Sequence, residues 1–422
     1  MQPTKVHVHL FYGADPRHYR AGENIGCLYG YHHAESPELT LTYSSDAKEG
    51  RFVKLARRAL KEVLGFDFIH TWRNREAILD SDAVWTHTEH EHLSTALLLL
   101  LKGRARGTPM LLAQSVWLLD KWPHYSALRK WAYKKLLARA DVLTTLASEN
   151  AQLARDHFKR DVGQVYYGIN PRDFPLREPK TWKPHSPVRI AAIGNDRDRD
   201  WESLVQAFRQ DSRYDVRIAT RRRVSKALAA DNVKIAPAAG LAAARELYDW
   251  ADVIVVPLRP NSHASGITVM LEAAAVGKPM VVTNVGALQD YFPAGEAAYI
   301  PPFNPQALRE AVDQLAASPV DALRQAQAAA AGLLARDLTT QNYAMQHVRI
   351  TQEMLRVRAA SRARPAPARA ETDVTAPRAA AGAAAGQAAQ SPRHAHPSPP
   401  ARSQATGAQG QRSSTRESRG GL

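Results

Sequence analysis

Residues Ser265–Thr283 of the chain, SGITVMLEAAAVGKPMVVT, decide how its second half folds. The stretch predicts a loop that ends at Gly266, a helix over Ile267–Val276 and a strand over Met280–Thr283, because a glycine and a proline separate the last two. The apolar run Val253–Pro257 precedes it and predicts another strand. Strand, loop, helix and strand in this order predict a parallel βαβ unit.

One acid lies inside that predicted helix. Glu272 is surrounded by apolar side chains and alanines, where an ionised carboxylate is costly unless it accepts hydrogen bonds. The hydroxyl groups of a ligand would supply such donors, and Gly266 frees the backbone where the helix begins, a place that favours an anion such as phosphate. A structural Glu272 paired with a nearby Lys or Arg explains the helix alone equally well.

Length and composition limit the possible classes of protein. A chain of 422 residues predicts two domains or more. A single cysteine, Cys27, excludes an intramolecular disulfide framework and a cysteine-based zinc site, and it suits a reducing cytoplasm. Lys5–Phe11 alternates like a strand rather than a secretory signal, and the longest aliphatic run, Ala96–Leu101, is too short to span a bilayer. We therefore expect a cytoplasmic protein, soluble or peripheral to a membrane.

The net charge of +15 is shared between two parts of the chain. Residues 359–422 contain 9 Arg and 3 acidic residues, which is +6, and are otherwise almost all Ala, Pro, Gly, Ser and Gln. This composition cannot bury enough apolar surface to fold, so it predicts a disordered tail. The remaining +9 on the body suggests an anionic partner: a nucleotide, a phospholipid surface or nucleic acid.

The body alternates between strand and helix patterns on both sides of a stretch with five prolines, Asn170–Pro187. In the first half, strands are predicted at Lys5–Phe11, Leu39–Tyr43, Phe66–His70, Ala83–His87, Pro109–Ala113, Val142–Leu146 and Gln164–Tyr167. In the second half, they are predicted at Val188–Ile193, Val216–Thr220, Val253–Pro257, Met280–Thr283 and Ala297–Ile300. Helices between most of these strands predict a parallel sheet in each half. The domains expected are 1–170, a linker 171–187 and 188–339, followed by a helix over 340–358 and the tail.

Two doubly wound domains facing each other form a cleft where nucleotides bind in such folds. The sequence contains neither a GxGxxG fingerprint nor a Walker A motif, which disfavours a simple NAD or P-loop enzyme. Two longer stretches extend the opening motif: ADVIVVPLRPNSHASGITVMLEAAAVGKPMVVTNVGALQDYF at Ala251–Phe292 and VRIAAIGNDRDRDWESLVQAF at Val188–Phe208. Over roughly Ala83–Arg358 the chain resembles the group 1 glycosyltransferases of the GT-B fold. The resemblance implies two Rossmann-like domains across a cleft and a final helix that crosses back onto the first domain.

The resemblance also implies roles for residues of the second domain. Glu272 matches the second acid of the family's Glu-x7-Glu motif, which usually holds the ribose hydroxyls of the nucleotide. The first acid, which usually contacts the donor sugar, is replaced by Ala264. The groups near Ala264 that could instead meet the sugar or the diphosphate are His263, Ser265 and the backbone N–H groups of Gly266 and Ile267.

The loop after Val188–Ile193 departs from the family pattern. Gly194 matches the family glycine, but Asn195 and Asp200 stand where an Arg and a Lys usually neutralise the leaving diphosphate. Arg197 and Arg199 lie in the same loop and could replace those cations, since a guanidinium suits phosphate. In the alternative, both arginines only pair with the aspartates between them.

The first domain supplies two further candidates for catalysis, and both rest on the resemblance. His87 occupies a frequent family histidine position, and Gln114 stands where the family commonly has another histidine. Gln114 cannot act as acid or base but can hold a hydroxyl group. Alternation of His87, His90 and His92 also suggests a metal site, but the spacing does not suit one helix face and the family is largely metal-independent. We therefore expect no metal, and no cofactor besides the donor substrate.

The implied activity is transfer of a sugar, with retention, from a UDP- or GDP-linked donor to a glycan or lipid-linked acceptor in cell-surface polysaccharide synthesis. Leu118–Ala140 mixes cationic and aromatic residues and could rest on an anionic membrane at the inner face of the plasma membrane. In the alternative it is an ordinary domain helix with Leu128 and Trp131 in the core. A nucleotide-sugar epimerase with Glu89 or Glu91 as a catalytic carboxylate remains a second interpretation. A basic nucleic-acid-binding protein is a third, although the recognition motifs expected for RNA are absent.

Overall fold

The structure is a computed structural model that describes residues 2–18, 27–103, 107–238 and 240–363, with only the backbone of residues 226 and 363. All of these residues lie in one compact unit. The predicted tail beyond residue 363 lies outside the described residues. Of the helices within those ranges, none is both long and apolar enough to cross a membrane.

The first domain contains a six-stranded parallel sheet in the order β2-β1-β3-β4-β5-β6. Its strands are β1 (Thr4–His9), β2 (Leu39–Tyr43), β3 (Ala83–Thr86), β4 (Met110–Ser115), β5 (Val142–Thr145) and β6 (Gly163–Gln164). Its helices are α1 (Arg51–Leu64), α2 (Phe68–Arg73), α3 (Arg75–Leu79), α4 (Glu89–Leu101), α5 (Leu118–Lys121), α6 (Ala127–Leu137) and α7 (Ser148–Phe158). Short 3₁₀ turns cover Pro16–His18, Leu28–Ala34 and Trp122–His124. The strand order reverses at β1 and β3, where the two strands pair in parallel.

The second domain contains another six-stranded parallel sheet, in the order β12-β11-β10-β7-β8-β9. Its strands are β7 (Val188–Ile193), β8 (Tyr214–Ala219), β9 (Val233–Ala236), β10 (Val253–Val256), β11 (Met280–Thr283) and β12 (Ala298–Ile300). Its helices are α8 (Trp201–Phe208), α9 (Gly240–Trp250), α10 (Ile267–Ala275), α11 (Pro305–Ala317) and α12 (Pro319–Ala335). Short 3₁₀ turns cover Lys226–Leu228 and Leu288–Asp290. This is the Rossmann strand order, with the reversal between β7 and β10.

The last helix, α13 (Thr340–Ala363), packs on the first domain although it follows the second in sequence. Trp85 of β3 donates a hydrogen bond from Nε1 to Thr351 Oγ1 at 2.7 Å. The chain thus passes between the domains twice, and the two passages are bonded to each other. Ile169 N–H donates to Leu338 O, and Thr340 N–H donates to Ile169 O, both at 2.9 Å. A Cβ at Gly168 would lie 2.1 Å from the carbonyl carbon of Thr339, so only glycine fits there.

Most strands and helices lie where the sequence predicts them, including the βαβ unit of the opening motif. The strand predicted at Phe66–His70 is wrong, because this segment begins helix α2. Asp67 caps that helix by accepting a hydrogen bond from the His70 N–H at 3.1 Å. Strand β9 and helix α12 were not predicted. β9 is a four-residue edge strand, and α12 is an alanine-rich helix whose apolar stripe is made of small side chains.

Candidate active site

Two adjacent cavities lie between the domains, at the carboxyl ends of β7 and β10, where the strand order reverses. The Glu272 cavity has a volume of about 470 Å³ and is lined by residues that include Tyr167, Asn170, Gly240, Ala244, Thr268 and Glu272. The Arg199 cavity has a volume of about 240 Å³ and is lined by residues that include His87, Asn195, Asp196, Arg199, His263 and Ser265. Tyr29, Tyr167 and Thr268 line both, so the two cavities form one continuous cleft. Open α/β sheets bind ligands at this point.

A tight turn places the start of α10 at the junction of the two cavities. Gly266 has φ 85° and ψ −5°, which are the values of the third residue of a type II turn. The Ile267 N–H closes this turn by donating to Ala264 O at 3.2 Å. A Cβ on Gly266 would lie 2.5 Å from Val256 Cγ1 and 3.0 Å from Arg199 Nη1, so the turn requires glycine. The Ile267 N–H, which the resemblance suggested could meet the sugar or the diphosphate, is therefore bonded within the turn in this structure.

Arg199 is the buried cation of the site. Only 6% of its surface is exposed. Its backbone is held against the end of β10 by a bridge to Leu258, and Gly194 leaves the room that its side chain fills, since a Cβ there would lie 2.1 Å from Arg199 Nε. Nε and Nη1 have no hydrogen-bond partner among the residues that the structure describes. Burial lowers the pKa of Arg199, but a guanidinium stays charged at neutral pH.

The neighbouring residues of this loop have other roles. Arg197 is half exposed and lies 3.6 Å from the Asp198 carboxylate, and it does not line either cavity. Asp200 caps α8 by accepting a hydrogen bond from the Ser203 N–H at 3.2 Å. Asn195 lines the Arg199 cavity, and its side-chain oxygen accepts from the Arg221 N–H at 2.6 Å. The alternative in which the arginines only pair with neighbouring aspartates therefore describes Arg197 but not Arg199.

Glu272 lies on α10 and borders the Glu272 cavity. The Tyr248 hydroxyl of α9 donates a hydrogen bond to Glu272 Oε2. Burial raises the pKa of Glu272 to about 7, although the hydrogen bond from Tyr248 and the positive charge of Arg199 act in the opposite direction. The carboxyl therefore changes charge near neutral pH, and ligand hydroxyls that donate to it would favour its ionised form.

His263 joins the two domains across the Arg199 cavity. Its Nδ1 lies 2.8 Å from Asp120 Oδ2 of the first domain, and its Nε2 lies 3.4 Å from Asp196 Oδ2 of the second. Burial alone would lower its pKa, but the two carboxylates outweigh burial and raise the pKa to about 9. His263 is therefore a buried imidazolium at neutral pH. Ser265 lies beside it and donates from Oγ to Asp196 Oδ2 at 2.6 Å.

In the part of the chain that the structure describes, one group of side chains is close enough together to hold a metal ion: Asp196, Asp198 and His263. Ligand atoms of Asp196, Asp198 and His263 lie within 4.8 Å of one another. Asp196 Oδ2 accepts hydrogen bonds from His263 and Ser265, whereas Asp198 Oδ2 is buried without a hydrogen-bond partner among the described residues. The alternating histidines do not converge: His90 Nδ1 donates to Gly65 O at 2.7 Å, whereas His92 Nε2 lies 2.8 Å from Ser115 Oγ.

His87 and Gln114 are in contact, as neighbours in a buried hydrogen-bond network. Gln114 Nε2 donates to His87 O at 3.1 Å and lies 3.2 Å from His87 Nδ1. Tyr343 of α13 donates from its hydroxyl to Gln114 Oε1 at 3.0 Å, and the same hydroxyl lies 3.0 Å from His87 Nδ1. The His87 ring stacks on Tyr29 with centroids 3.5 Å apart. Burial lowers the pKa of His87 to about 3, so the ring is neutral. His87 lines the Arg199 cavity, and Gln114 positions His87 from behind.

Several residues of the site were not predicted from the sequence. Tyr248 could have been predicted from the sequence, because the helical pattern places its side chain on the buried face and a buried tyrosine hydroxyl needs a hydrogen-bond partner. No local pattern in the sequence indicates Asp120 or Tyr343, because they contact residues that are 143 and 229 positions away in the chain. Tyr29 lies in the early loop, where the sequence shows no periodic pattern.

Comparison with known proteins agrees with this geometry. Residues 187–318, which include both halves of the second-domain site, match the family model for glycosyl transferases group 1. No curated protein sequence matches the chain closely enough to count as a relative.

Solved structures share the arrangement of both domains. Sucrose-phosphate synthase from Thermosynechococcus elongatus superposes with a TM-score of 0.63 at 15% identity, covering 84% of this chain and 100% of its own. Anabaena HepE, solved with UDP-glucose, gives 0.59 at 12% identity and covers 84% and 99%. Trehalose-phosphate synthase from Burkholderia vietnamiensis gives 0.58 at 12% identity, with the same coverage. At these identities the likeness establishes the fold.

Two facing Rossmann-type domains, with a cleft between them and the last helix crossing back, are the GT-B fold. The family match covers residues 187–318, so the second domain is the part of the chain that resembles the group 1 glycosyltransferases in sequence.

Proposed function

We propose that the protein transfers a hexose from a nucleotide-diphosphate donor to a hydroxyl group of an acceptor. One observation carries the proposal: Arg199 is a buried guanidinium without a partner among the described residues, and it opens into the same cleft as Glu272. A buried cation of this kind calls for an anion, and a buried carboxyl on the adjoining wall calls for hydroxyl donors. A nucleoside diphosphate carries both groups on one molecule.

The two cavities suggest how the donor lies in the cleft. The ribose hydroxyls donate to Glu272, the diphosphate rests against Arg199, and the base extends towards Gly240 and Ala244. UDP- and GDP-linked sugars both fit this arrangement. A UDP-linked sugar is the first choice for testing, because the similar HepE was solved with UDP-glucose.

The site supports transfer by stabilising the leaving group. As the bond between the anomeric carbon and the diphosphate oxygen breaks, the electron pair stays on the diphosphate, where the positive charges of Arg199 and His263 lie nearby. The acceptor oxygen bonds to the anomeric carbon, and its proton passes to the departing phosphate oxygen. Attack on the face that the diphosphate leaves would give retention, as in the family that the sequence resembles. Neutral His87 is placed to orient a hydroxyl group beside the donor sugar.

Product analysis tests this proposal. With a nucleotide sugar and a panel of glycan and lipid-linked acceptors, we expect release of the nucleoside diphosphate together with a new glycoside, detected by chromatography and mass spectrometry. The configuration of the new bond, read by NMR, decides between retention and inversion. Recovery of an epimerised donor, with no glycoside, would instead identify a nucleotide-sugar epimerase.

We also propose that the first domain rests on an anionic membrane, which suits a lipid-linked acceptor and cell-surface polysaccharide synthesis. Leu128 and Trp131 of α6 are 74% and 60% exposed, so the alternative that buries them in the core is wrong. Lys130, Lys134 and Lys135 share this helix. Exposed apolar and cationic side chains together favour an anionic lipid surface.

We expect the protein to co-sediment with phosphatidylglycerol vesicles better than with phosphatidylcholine vesicles. Replacing Leu128 and Trp131 with serine should weaken this binding about tenfold or more, since two large apolar groups lose contact with the lipid. Val320→Ser, which removes an exposed apolar side chain from the second domain, is the matched control. Equal sedimentation of all three proteins would argue against this surface.

A further inference from the structure

A third cavity opens in the first domain at the carboxyl ends of β1 and β3. It has a volume of about 480 Å³ and is lined by residues that include His9, Tyr29, Lys54, Arg58, Lys61 and Trp117. We call it the His9 cavity. It lies where the order of the first sheet reverses, which is the position that the Arg199 cavity takes on the second sheet. Tyr29 and Trp117 also line the Arg199 cavity, so a ligand here would face the proposed sugar donor.

Helix α1 covers this cavity with a row of positive charges. Lys54, Arg58 and Lys61 are spaced four and three residues apart, which places them on one face of the helix. Among the residues that the structure describes, no carboxylate forms an ion pair with any of these three. Arg57 differs from them, because its guanidinium pairs with both Glu49 and Asp67.

The acids of the cavity do not cancel this charge. Asp67 is already bound to Arg57. Glu91 is tied to Thr88, whose N–H donates to Glu91 Oε2 at 2.7 Å. Burial raises the pKa of Glu91 to about 7, so at neutral pH it carries only part of a negative charge. The cavity therefore keeps an excess of positive charge facing its interior.

Two buried histidines add hydrogen-bonding groups to the same wall. His9 and His70 line the cavity and are each 1% exposed. The Nδ1 atom of each has no partner among the described residues. His70 Nε2 donates to Leu10 O at 3.1 Å, which leaves Nδ1 of the neutral ring as an acceptor. A hydroxyl group of a bound sugar would satisfy that atom.

We propose that the His9 cavity binds the acceptor, and that this acceptor carries a phosphate group held by Lys54, Arg58 and Lys61. The inference rests on the proposed transferase function and names the class of its acceptor. The charged end of the acceptor lies under α1, and its sugar lies near His70. Its reacting hydroxyl group points past Tyr29 and Trp117 towards the Arg199 cavity.

The phosphate can come from either of two sources. It can belong to a soluble sugar phosphate, or it can link a sugar to a lipid. Helix α1 leaves the lipid source open, because its other face exposes Phe52 and Leu55 at 88% and 67%. The phosphate is common to both sources, and the experiment has one arm for each.

The test measures binding of matched probes by titration calorimetry. The soluble arm compares glucose 6-phosphate with glucose. The lipid arm compares phosphatidylcholine vesicles that contain a polyprenyl phosphate with vesicles that contain the polyprenol. The proteins are the wild type, a triple variant Lys54→Gln, Arg58→Gln and Lys61→Gln, and the control Arg51→Gln, which removes an exposed cation of α1 that does not line the cavity.

In at least one arm we expect the phosphate-bearing probe to bind about tenfold more tightly than its partner. The triple variant should lose this preference, and Arg51→Gln should keep it. The arm that shows the preference identifies the source of the phosphate. The proposal is overturned if neither arm shows a preference in the wild type, or if the triple variant retains it.

Binding of UDP-glucose, GDP-glucose and GDP-mannose is measured on the same proteins as a separate readout. We expect the nucleotide sugar that binds the wild type to bind the triple variant equally, because the three cations do not line the Arg199 or Glu272 cavity. If no nucleotide sugar binds the wild type, the proposed transferase function fails, whatever the phosphate probes show. If one binds and the phosphate preference is absent, only the acceptor assignment fails.

Discussion

Replacing Arg199 with methionine should lower the rate of sugar transfer by about 10²- to 10³-fold, which is the usual cost of removing one group that stabilises charge developing in a transition state. The loss should appear mainly in kcat, because the negative charge on the diphosphate grows as the bond to the sugar breaks. Steady-state kinetics with saturating donor measure the effect. The fold should not suffer, since Arg199 is buried and has no partner for Nε and Nη1 among the described residues. A methionine of similar length avoids the desolvation of that charge, so we expect an equal or higher Tm.

Arg197→Met is the matched control for this variant. Arg197 lies two positions away in the same loop, but it is half exposed and faces Asp198 rather than the cleft. We expect its kcat to stay within about threefold of the wild type, as for most surface substitutions away from a site. If Arg197→Met lost as much activity as Arg199→Met, the net charge of the loop would matter and the buried position of Arg199 would not.

Replacing Glu272 with glutamine should weaken the binding of a nucleotide sugar by about 30-fold or more. The carboxylate would accept hydrogen bonds from the ribose, and hydrogen bonds to a charged group contribute about 1.5–3 kcal/mol each. Titration calorimetry with UDP-glucose or another bound nucleotide sugar gives the affinity. Glu246→Gln removes an exposed acid from α9, the helix that carries Tyr248, and should leave the affinity unchanged.

The pH dependence of the same binding gives a second readout of Glu272. Its pKa is raised to about 7, so the unliganded carboxyl is mostly protonated at pH 6 and mostly ionised at pH 8. In the proposed donor complex, the ionised form is the one that would accept hydrogen bonds from both ribose hydroxyls. The affinity of the wild type should therefore rise about tenfold from pH 6 to pH 8. An intact nucleotide sugar is the right probe, because its diphosphate diester does not titrate in this range. In Glu272→Gln the rise should disappear, and a rise that persisted would assign the titration to another group.

The sequence predicts the second domain better than the site as a whole. The βαβ unit around Gly266 and Glu272 has local signals: a glycine before a helix, an acid among apolar residues and β-branched strands. Charge alternation in the loop could not separate Arg199 from Arg197. Their difference depends on Gly194 and on the bridge to Leu258, which form only when the loop packs against β10.

The first domain and the contacts between domains were harder to predict, for physical reasons. Phe66–His70 has the composition of a strand, but capping by Asp67 makes its second half helical. Asp120 and Tyr343 join the site through contacts that span more than a hundred residues of chain, and no local pattern encodes them. The cationic row of α1 is visible in the sequence. Its direction towards a cavity is set by the packing of the whole domain.

The bonded double passage of the chain at Ile169 and Thr340 has a mechanical consequence. Because both covalent connections meet there, relative motion of the domains, once the contact between Asp120 and His263 opens, is limited largely to swinging about that pivot point. Displacement in such a swing grows with distance from the axis. The pivot residues line the Glu272 cavity but not the Arg199 cavity. The separation between the domains would therefore be largest at the Arg199 cavity, where the proposed sugar transfer occurs, and smallest at the Glu272 cavity, where the nucleoside is proposed to bind.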